Sequence, residues 1–277
     1  MNRNGLIAFY VTFIILISGC ANTMRKLERS GDNEEMYAGA VAYYEQGDYA
    51  KADLLFDKIY PYYRGASESE KIKYYSAFCD FYQGFYVAAS YEFKQFYQVF
   101  GRSPYAEEAQ FMEAYSLYLT SPNYEVDQSS SEEAVFAMQN FLNRYPVTKY
   151  YQQANDIIDE LQVRFETKAY HKAMLYYKLT TGLSYKNYLD AALVTFKAFK
   201  EDYPDSKYNE ELLYLSVETS YNLAVNSIET KQPERFEDSL ALYKEFKQKY
   251  PNSGYMAKAE KLSENAKESL EKLKTEE

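Results

Sequence analysis

The sequence predicts an all-α fold, a right-handed superhelical solenoid built from about five helix pairs. The 277 residues include 10 Gly and 7 Pro, which are too few turn signals for a fold of many short strands. Apolar residues recur at intervals of four, three and four, the spacing that places side chains on one face of a helix. A hexapeptide also recurs, so the same local structure is expected several times along the chain.

The hexapeptide reads YPVTKY at 145–150, YPDSKY at 203–208 and YPNSGY at 250–255, with a weaker copy, FGRSPY, at 100–105. Reading backwards from Tyr203, one helix face contains Phe199, Phe196 and Ala192. Pro204 disfavours helical geometry at the residue before it, so the helix is predicted to end at Tyr203. The same pattern ends at four other aromatic residues, Tyr63, Phe100, Tyr145 and Tyr250.

Ala-x₃-Phe followed by a closing Pro is typical of the second helix of a tetratricopeptide repeat. The Ala-x₃-Phe element occurs at Ala52–Phe56, Ala89–Phe93 and Ala192–Phe196. We therefore predict about five tetratricopeptide-like helix pairs, with small residues where helices cross and aromatic rings in the grooves between them. The hydroxyl residues of the hexapeptides are predicted to be N-caps of the helices that follow: Thr148, Ser206 and Ser253.

Three stretches interrupt the repeats. Residues 120–133 are predicted to be a surface loop, residues 151–181 to add a helical stretch, and residues 230–234 to be a short turn between helices. At the end of the chain, a helical stripe among Lys and Glu contains Ala259, Leu262, Ala266, Leu270 and Leu273. It predicts a capping helix with a polar outer face, and a partner-binding helix remains the alternative.

Residues 1–19 have the layout of a secretory signal, with Arg3 as their one charge and a short apolar run. The small residues before Cys20 resemble the lipobox of bacterial lipoproteins. This resemblance implies cleavage before Cys20 and acylation of Cys20 with chains such as palmitate; an uncleaved signal anchor is the alternative. The predicted organisation is a signal peptide at 1–19, a lipidated linker at 20–33 and a helical repeat domain with a C-terminal capping helix at 34–277.

The residue after Cys20 is Ala21, and the absence of Asp there is compatible with transfer of a lipoprotein to the outer membrane. The protein is therefore expected on the periplasmic face of the outer membrane, held by its lipid anchor alone. The net charge of −10 gives the body no attraction to anionic lipid and disfavours nucleic-acid binding.

The sequence predicts a protein that is not an enzyme and has no cofactor or metal. His171 is the single histidine, and it is interpreted as an ordinary helix residue. Cys79 falls on an apolar helix stripe and is predicted to be a small core residue rather than a reactive thiol. The many carboxylates alternate with Lys and are interpreted as solvated surface.

The 33 Tyr and 17 Phe instead suggest a binding surface. Registering the first two repeats on Ala40 and Ala77 predicts a groove for extended, aromatic-rich peptides, lined by Tyr37, Val41, Tyr44, Tyr74, Phe78 and Phe81. The alternative is that these rings pack between the repeats.

The chain resembles the BamD family, also called ComL or YfiO, most specifically between residues 145 and 208. That family has two YPxSxY runs flanking a helix, and the matching positions here are Glu160, Leu161, Arg164, Lys168, Tyr170, Ala173, Tyr176, Tyr177 and Tyr203–Tyr208. The chain departs from the family in its tyrosine excess, in the loop at 120–133 and in a longer fifth pair.

The resemblance implies a scaffold and substrate-receiving subunit of the β-barrel assembly (BAM) machinery. It would contact a BamA-like barrel insertase through its POTRA domains and receive unfolded outer-membrane proteins, with substrate segments linked to the N-terminal repeats. Two alternatives stay open: a periplasmic repeat lipoprotein that coordinates cell-envelope or cell-wall machinery, and, less favoured, a SusD-like glycan-uptake binder.

Overall fold

The computed structural model describes residues 24–181 and 186–276, so the predicted signal peptide and Cys20 lie outside the described residues. Within these ranges the fold is all-α and contains no strand. A short 3₁₀ helix spans Glu229–Lys231. The α-helices are α1 (24–30), α2 (Asn33–Glu45), α3 (Tyr49–Tyr63), α4 (Glu68–Tyr82), α5 (Tyr86–Val99), α6 (Ala106–Thr120), α7 (Ser129–Arg144), α8 (Tyr151–Leu179), α9 (Lys186–Asp202), α10 (Asn209–Val225), α11 (Gln232–Lys249) and α12 (Met256–Glu276).

The helices pack as consecutive pairs, which confirms the predicted tetratricopeptide-like fold. The pairs are α2 with α3, α4 with α5, α6 with α7, and α10 with α11. In α8 and α9, Ala173, Ala192 and Phe196 belong to one buried cluster. Small residues lie fully buried at the predicted crossings, at Ala52, Ala89, Ala134 and Ala192. They let two helix backbones approach closely, and the neighbouring rings fill the space beside the crossing.

The chain divides into two compact units, unit 1 up to Leu161 and unit 2 from Gln162. In unit 1, a core cluster joins α2, α3 and α4 through residues that include Ala40, Phe56, Ile72 and Cys79. In unit 2, the second half of α8 joins α9, α10, α11 and α12 around Phe199, Val217 and Phe246. The stripe of α12 packs on this unit, with Ala259 and Ala266 fully buried.

Each hexapeptide ends the second helix of a pair and leads into the first helix of the next pair. The described helices end at Arg144, Asp202 and Lys249, each one residue before the Tyr of a Tyr-Pro pair, as predicted. In unit 2, the ring of Tyr203 packs on Phe199 at 5.2 Å between centroids. The three equivalent contacts are Phe96–Phe100, Phe141–Tyr145 and Phe246–Tyr250.

The last Tyr of each hexapeptide stacks on a ring from the first helix of the pair that the hexapeptide closes. Tyr208 stacks on Tyr170 with centroids 3.9 Å apart and planes 15° apart. The equivalent stacks are Tyr74–Tyr105 at 4.5 Å, Phe111–Tyr150 at 4.2 Å and Tyr214–Tyr255 at 4.7 Å. The last Tyr of the hexapeptide therefore holds each helix hairpin closed, which explains why the hexapeptide recurs.

The hydroxyl residues of the hexapeptides are not N-caps, so that prediction was wrong. The Ser206 oxygen accepts from the Tyr208 amide at 3.1 Å, and α10 begins one residue later. The same hydroxyl donates to Glu166 Oε1 at 2.5 Å. The hydroxyl stabilises the turn before the helix and also binds a carboxylate of α8. Equivalent donor–acceptor pairs are Ser103–Glu70 and Thr148–Glu107.

Tyrosine–glutamate hydrogen bonds connect helices in both units. Tyr74 and Tyr150 both donate to Glu108, at 2.6 and 2.8 Å. Further donor–acceptor pairs are Tyr97–Glu113, Tyr118–Glu160, Tyr170–Glu211 and Tyr177–Glu218. A phenol can bury its ring and still satisfy its hydroxyl on a carboxylate, so these bonds give a structural role to six of the 33 tyrosines.

Three boundaries differ from the sequence prediction. The loop predicted at 120–133 spans 121–128, because Gln128 donates to the carbonyls of Asn123 and Val126 and allows α7 to begin at Ser129. The turn predicted at 230–234 is largely helical, since Pro233 fits the first turn of α11. The predicted linker contains α1, whose Leu27 packs against Gly39 of α2.

Candidate functional site

Aromatic side chains occupy equivalent positions on the first helices of the three pairs in unit 1. The reference positions are Ala40, Ala77 and Ala114, each fully buried. Residues three before, one after and four after such a position lie on neighbouring parts of one helix face. In order, they are Tyr37, Val41 and Tyr44 on α2; Tyr74, Phe78 and Phe81 on α4; and Phe111, Tyr115 and Tyr118 on α6.

Two of the six predicted groove residues are buried in the packing between helices. Tyr74 is 8% exposed, and its ring lies 5.6 Å from that of Phe96. Phe78 is 7% exposed and packs edge-on against Phe93 at 4.9 Å. These two side chains therefore lie where the alternative interpretation, packing between helices, places them. The other four are half-buried and keep part of their surface accessible: Tyr37, Val41, Tyr44 and Phe81.

The accessible rings form a connected surface with neighbours that were not predicted. Tyr82 is 49% exposed and stacks on Tyr49 at 4.6 Å. Phe81 contacts Tyr115 at 6.0 Å, and Tyr115 contacts Tyr118 at 5.9 Å. Phe81 contacts Tyr82 at 5.6 Å between ring centroids, and Tyr44 contacts Tyr49 at 5.6 Å. We call this surface the aromatic row and define it as Tyr44, Tyr49, Phe81, Tyr82, Tyr115 and Tyr118.

Sequence reasoning missed four members of the aromatic row, Tyr49, Tyr82, Tyr115 and Tyr118. Extending the register from Ala77 to Ala114 places Tyr115 and Tyr118 on the same face, so the sequence held a signal for those two. Tyr49 and Tyr82 lie at helix ends, where the position of a residue on a helix face does not predict which neighbouring ring it contacts.

The aromatic row consists of neutral rings, and its tyrosine members have a polar hydroxyl at the tip. Burial raises the pKa of the Tyr44 and Tyr82 phenols above the usual value, so both stay protonated at neutral pH. Tyr118 at the α6 end donates to Glu160 at 2.7 Å. Such a surface can stack on aromatic or aliphatic side chains and exchange hydrogen bonds with an extended backbone.

The described residues hold no group of three or more His, Cys, Asp or Glu residues that could bind a metal ion. Cys79 is fully buried, and burial raises the pKa of its thiol, which suppresses the reactive thiolate. No helix in the described part of the chain is both long and apolar enough to cross a membrane.

Some carboxylates are not the solvated surface that the sequence suggested. Burial raises the pKa of Asp53 from 3.8 to about 7, and the nearby Asp57, Asp80 and Glu92 add repulsion, while a hydrogen bond with Ser76 opposes the shift. Burial likewise raises the pKa of Asp80 to about 6. The prediction failed because α3, α4 and α5 bring these groups together from distant parts of the sequence.

The Asp53 shift predicts a pH-dependent stability. A carboxyl group whose pKa is raised on folding stabilises the fold below its unfolded pKa, and that contribution is lost as the pH rises to about 7. Asp53→Asn should therefore raise the free energy of unfolding at pH 7.5 by about 1–2 kcal/mol, after allowance for solvent screening. Urea melts at pH 5 and 7.5 measure the free energy of unfolding, with Asp159→Asn at an exposed position as the control. A pH dependence of stability that is the same in Asp53→Asn as in the wild type would contradict the expected result.

Comparison with known protein families identifies the chain. A family profile described as "YfiO: Outer membrane lipoprotein" matches residues 29–182 and 181–275. The chain belongs to this family. No curated protein matches the chain. The two YfiO matches take in the aromatic row, the hexapeptides and α12, so family membership extends over both units.

Proposed function

We propose that this YfiO-family lipoprotein is a scaffold and substrate-receiving subunit of the β-barrel assembly machinery, anchored to the outer membrane through lipid on Cys20. The observation that carries the proposal is the aromatic row of unit 1, on a chain whose family is one of outer membrane lipoproteins. A surface of neutral rings on stacked helix pairs is suited to gripping other proteins rather than to a reaction.

The aromatic row suits unfolded outer-membrane proteins as ligands. Strands of membrane β-barrels alternate apolar and polar residues and are flanked by aromatic girdles, so an unfolded strand offers a ring or aliphatic side chain at every second position. Each aromatic pair contributes about 0.5–1.5 kcal/mol beyond its buried area. Several such contacts hold a segment while leaving it free to dissociate towards the insertase.

Partner capture tests the assembly role. Affinity purification from detergent-solubilised membranes should recover a large barrel protein that carries POTRA domains. Recovery of cell-wall enzymes without such a barrel protein would favour the second candidate, a lipoprotein that coordinates envelope machinery. The chain should be tagged at its C terminus, because the proposed acylated N terminus is Cys20.

Substitutions in the aromatic row test the substrate-receiving role. The double variant Phe81→Ala with Tyr82→Ala should bind an unfolded outer-membrane protein about tenfold more weakly, because it removes two adjacent half-accessible rings. Fluorescence anisotropy with a labelled, urea-diluted barrel protein measures the affinity. The matched control is Tyr62→Ala with Phe136→Ala, which removes two rings that are 71% and 67% exposed and lie outside the row. An equal loss of affinity in both variants would contradict the assignment of substrate binding to the aromatic row.

A further inference from the structure

A groove of about 500 Å³ lies between α11 and α12 in unit 2. Its apolar part is formed by Leu240 and the ring of Tyr243, both half-buried. The described residues that line it include no carboxylate, and its cations are Lys244, Lys247 and Lys267. Because the whole chain has a net charge of −10, this groove differs in charge from the rest of the protein.

Two of the three lysines carry charge without a recorded ion pair. Lys247 donates to Glu260 at 3.1 Å and lies 5.8 Å from the Tyr243 ring centroid. Lys244 and Lys267 are exposed, and among the described residues neither forms a salt bridge. They are therefore available to an anionic ligand beside the apolar part of the groove.

The groove also contains an unused hydroxyl. Ser263 of α12 lines it and is 3% exposed. Its Oγ has no hydrogen-bond partner within the described ranges. Buried hydroxyls are normally paired, so this one is an unsatisfied polar group behind the wall of the groove.

We propose that this groove binds an acidic segment of a partner protein. An aliphatic or aromatic side chain of the segment packs on Leu240 and Tyr243, and its carboxylates pair with Lys244 and Lys267. The partner is identified by charge complementarity, because lysines that form no salt bridge within the described residues lie beside an apolar concavity and favour an anion at this groove. The proposal goes beyond the substrate-receiving role, because it rests on α11 and α12 and does not use the aromatic row.

An anionic membrane surface fits the groove less well. Sequences that bind anionic lipid generally present clusters of about 4–8 Lys or Arg. This groove has three lysines, and one of them is paired with Glu260. The lysines also flank an apolar concavity, which suits a side chain better than a lipid headgroup.

Peptides of opposite charge test the proposal on the full-length lipoprotein in neutral detergent. One probe is an amphipathic peptide of about 14 residues, which is about four turns of helix, with Glu on its polar face and Leu and Phe as anchors. The second probe has Lys at every Glu position, and both carry an uncharged fluorophore. We expect the acidic peptide to bind about tenfold more tightly, and its affinity to fall as salt is added. A net charge of −10 would by itself produce the opposite order, so tighter binding of the basic peptide would overturn the proposal.

Charge reversal locates the binding site. Lys244→Glu with Lys267→Glu should weaken binding of the acidic peptide by about tenfold or more. The matched control, Lys261→Glu with Lys272→Glu, makes the same charge change at exposed positions that do not line the groove, and should alter affinity less than about twofold. Equal loss in both pairs would overturn the proposal. The proposal would also be overturned if the wild-type protein binds phosphatidylglycerol vesicles and only Lys244→Glu with Lys267→Glu loses that binding. The groove would then be a lipid site.

Discussion

Replacing Phe199 with alanine should destabilise unit 2 by about 3–5 kcal/mol, the range for removing a buried ring from a well-packed core. Phe199 is 2% exposed, and its ring contacts those of Tyr203 and Tyr208, the first and last aromatic residues of the hexapeptide. Tyr208 in turn stacks on Tyr170 of α8. The substitution therefore leaves a cavity and removes the support for the ring that closes the hairpin.

Urea unfolding followed by circular dichroism measures the Phe199 effect as a lower midpoint. Val194→Ala is the control on the same helix, because Val194 is 68% exposed and its loss should change the stability by no more than about 0.5 kcal/mol. A wild-type midpoint for Phe199→Ala would show that the ring does not belong to the core of the folded chain.

Replacing Cys20 with serine should release the protein from the membrane. The predicted mature chain lacks Arg3, so its net charge changes from −10 to −11 and gives no attraction to anionic lipid. Attachment would then depend on acyl chains, which contribute about 0.8 kcal/mol for each buried CH₂. Several chains on one cysteine hold a protein durably, and their loss removes the proposed anchor.

Fractionation of cells into membrane and soluble material measures this effect. Cys79→Ala is the control, since it removes the other cysteine of the chain from a fully buried position in α4. It should leave the protein with the membranes. Cys20→Ser protein that still sediments with washed membranes would contradict anchoring by lipid at this residue.

Helix pairing could be predicted because its determinants are local. An Ala, a ring four residues later and a closing Tyr-Pro specify a helix face and its end within about a dozen residues, as at Ala192, Phe196 and Pro204. The fold then follows from repetition of this unit. The short helix α1 was not predicted, because so short a helix gives no periodic pattern of apolar residues. Its position is set by the packing of Leu27 against Gly39.

The tyrosine contacts and the carboxylate cluster could not be predicted in the same way. Tyr170 bonds Glu211, which lies 41 positions later in the chain, and nothing local at either residue marks the pairing. Asp53 and Asp80 likewise come together when α3 packs on α4. A phenol that bonds a distant glutamate and a phenol that faces a ligand look alike in sequence, which is why Tyr74 was assigned to the groove.

Photocrosslinking in cells tests the central claim, that the aromatic row of unit 1 receives unfolded outer-membrane proteins. A photoreactive phenylalanine placed at Phe81 should form crosslinks to newly exported barrel proteins, and these should increase when barrel insertion is blocked. The same residue placed at Val99, which is 67% exposed in unit 1 and outside the row, should form few. Crosslinks of equal intensity at both positions, or none at Phe81 while Val99 reacts, would contradict the account.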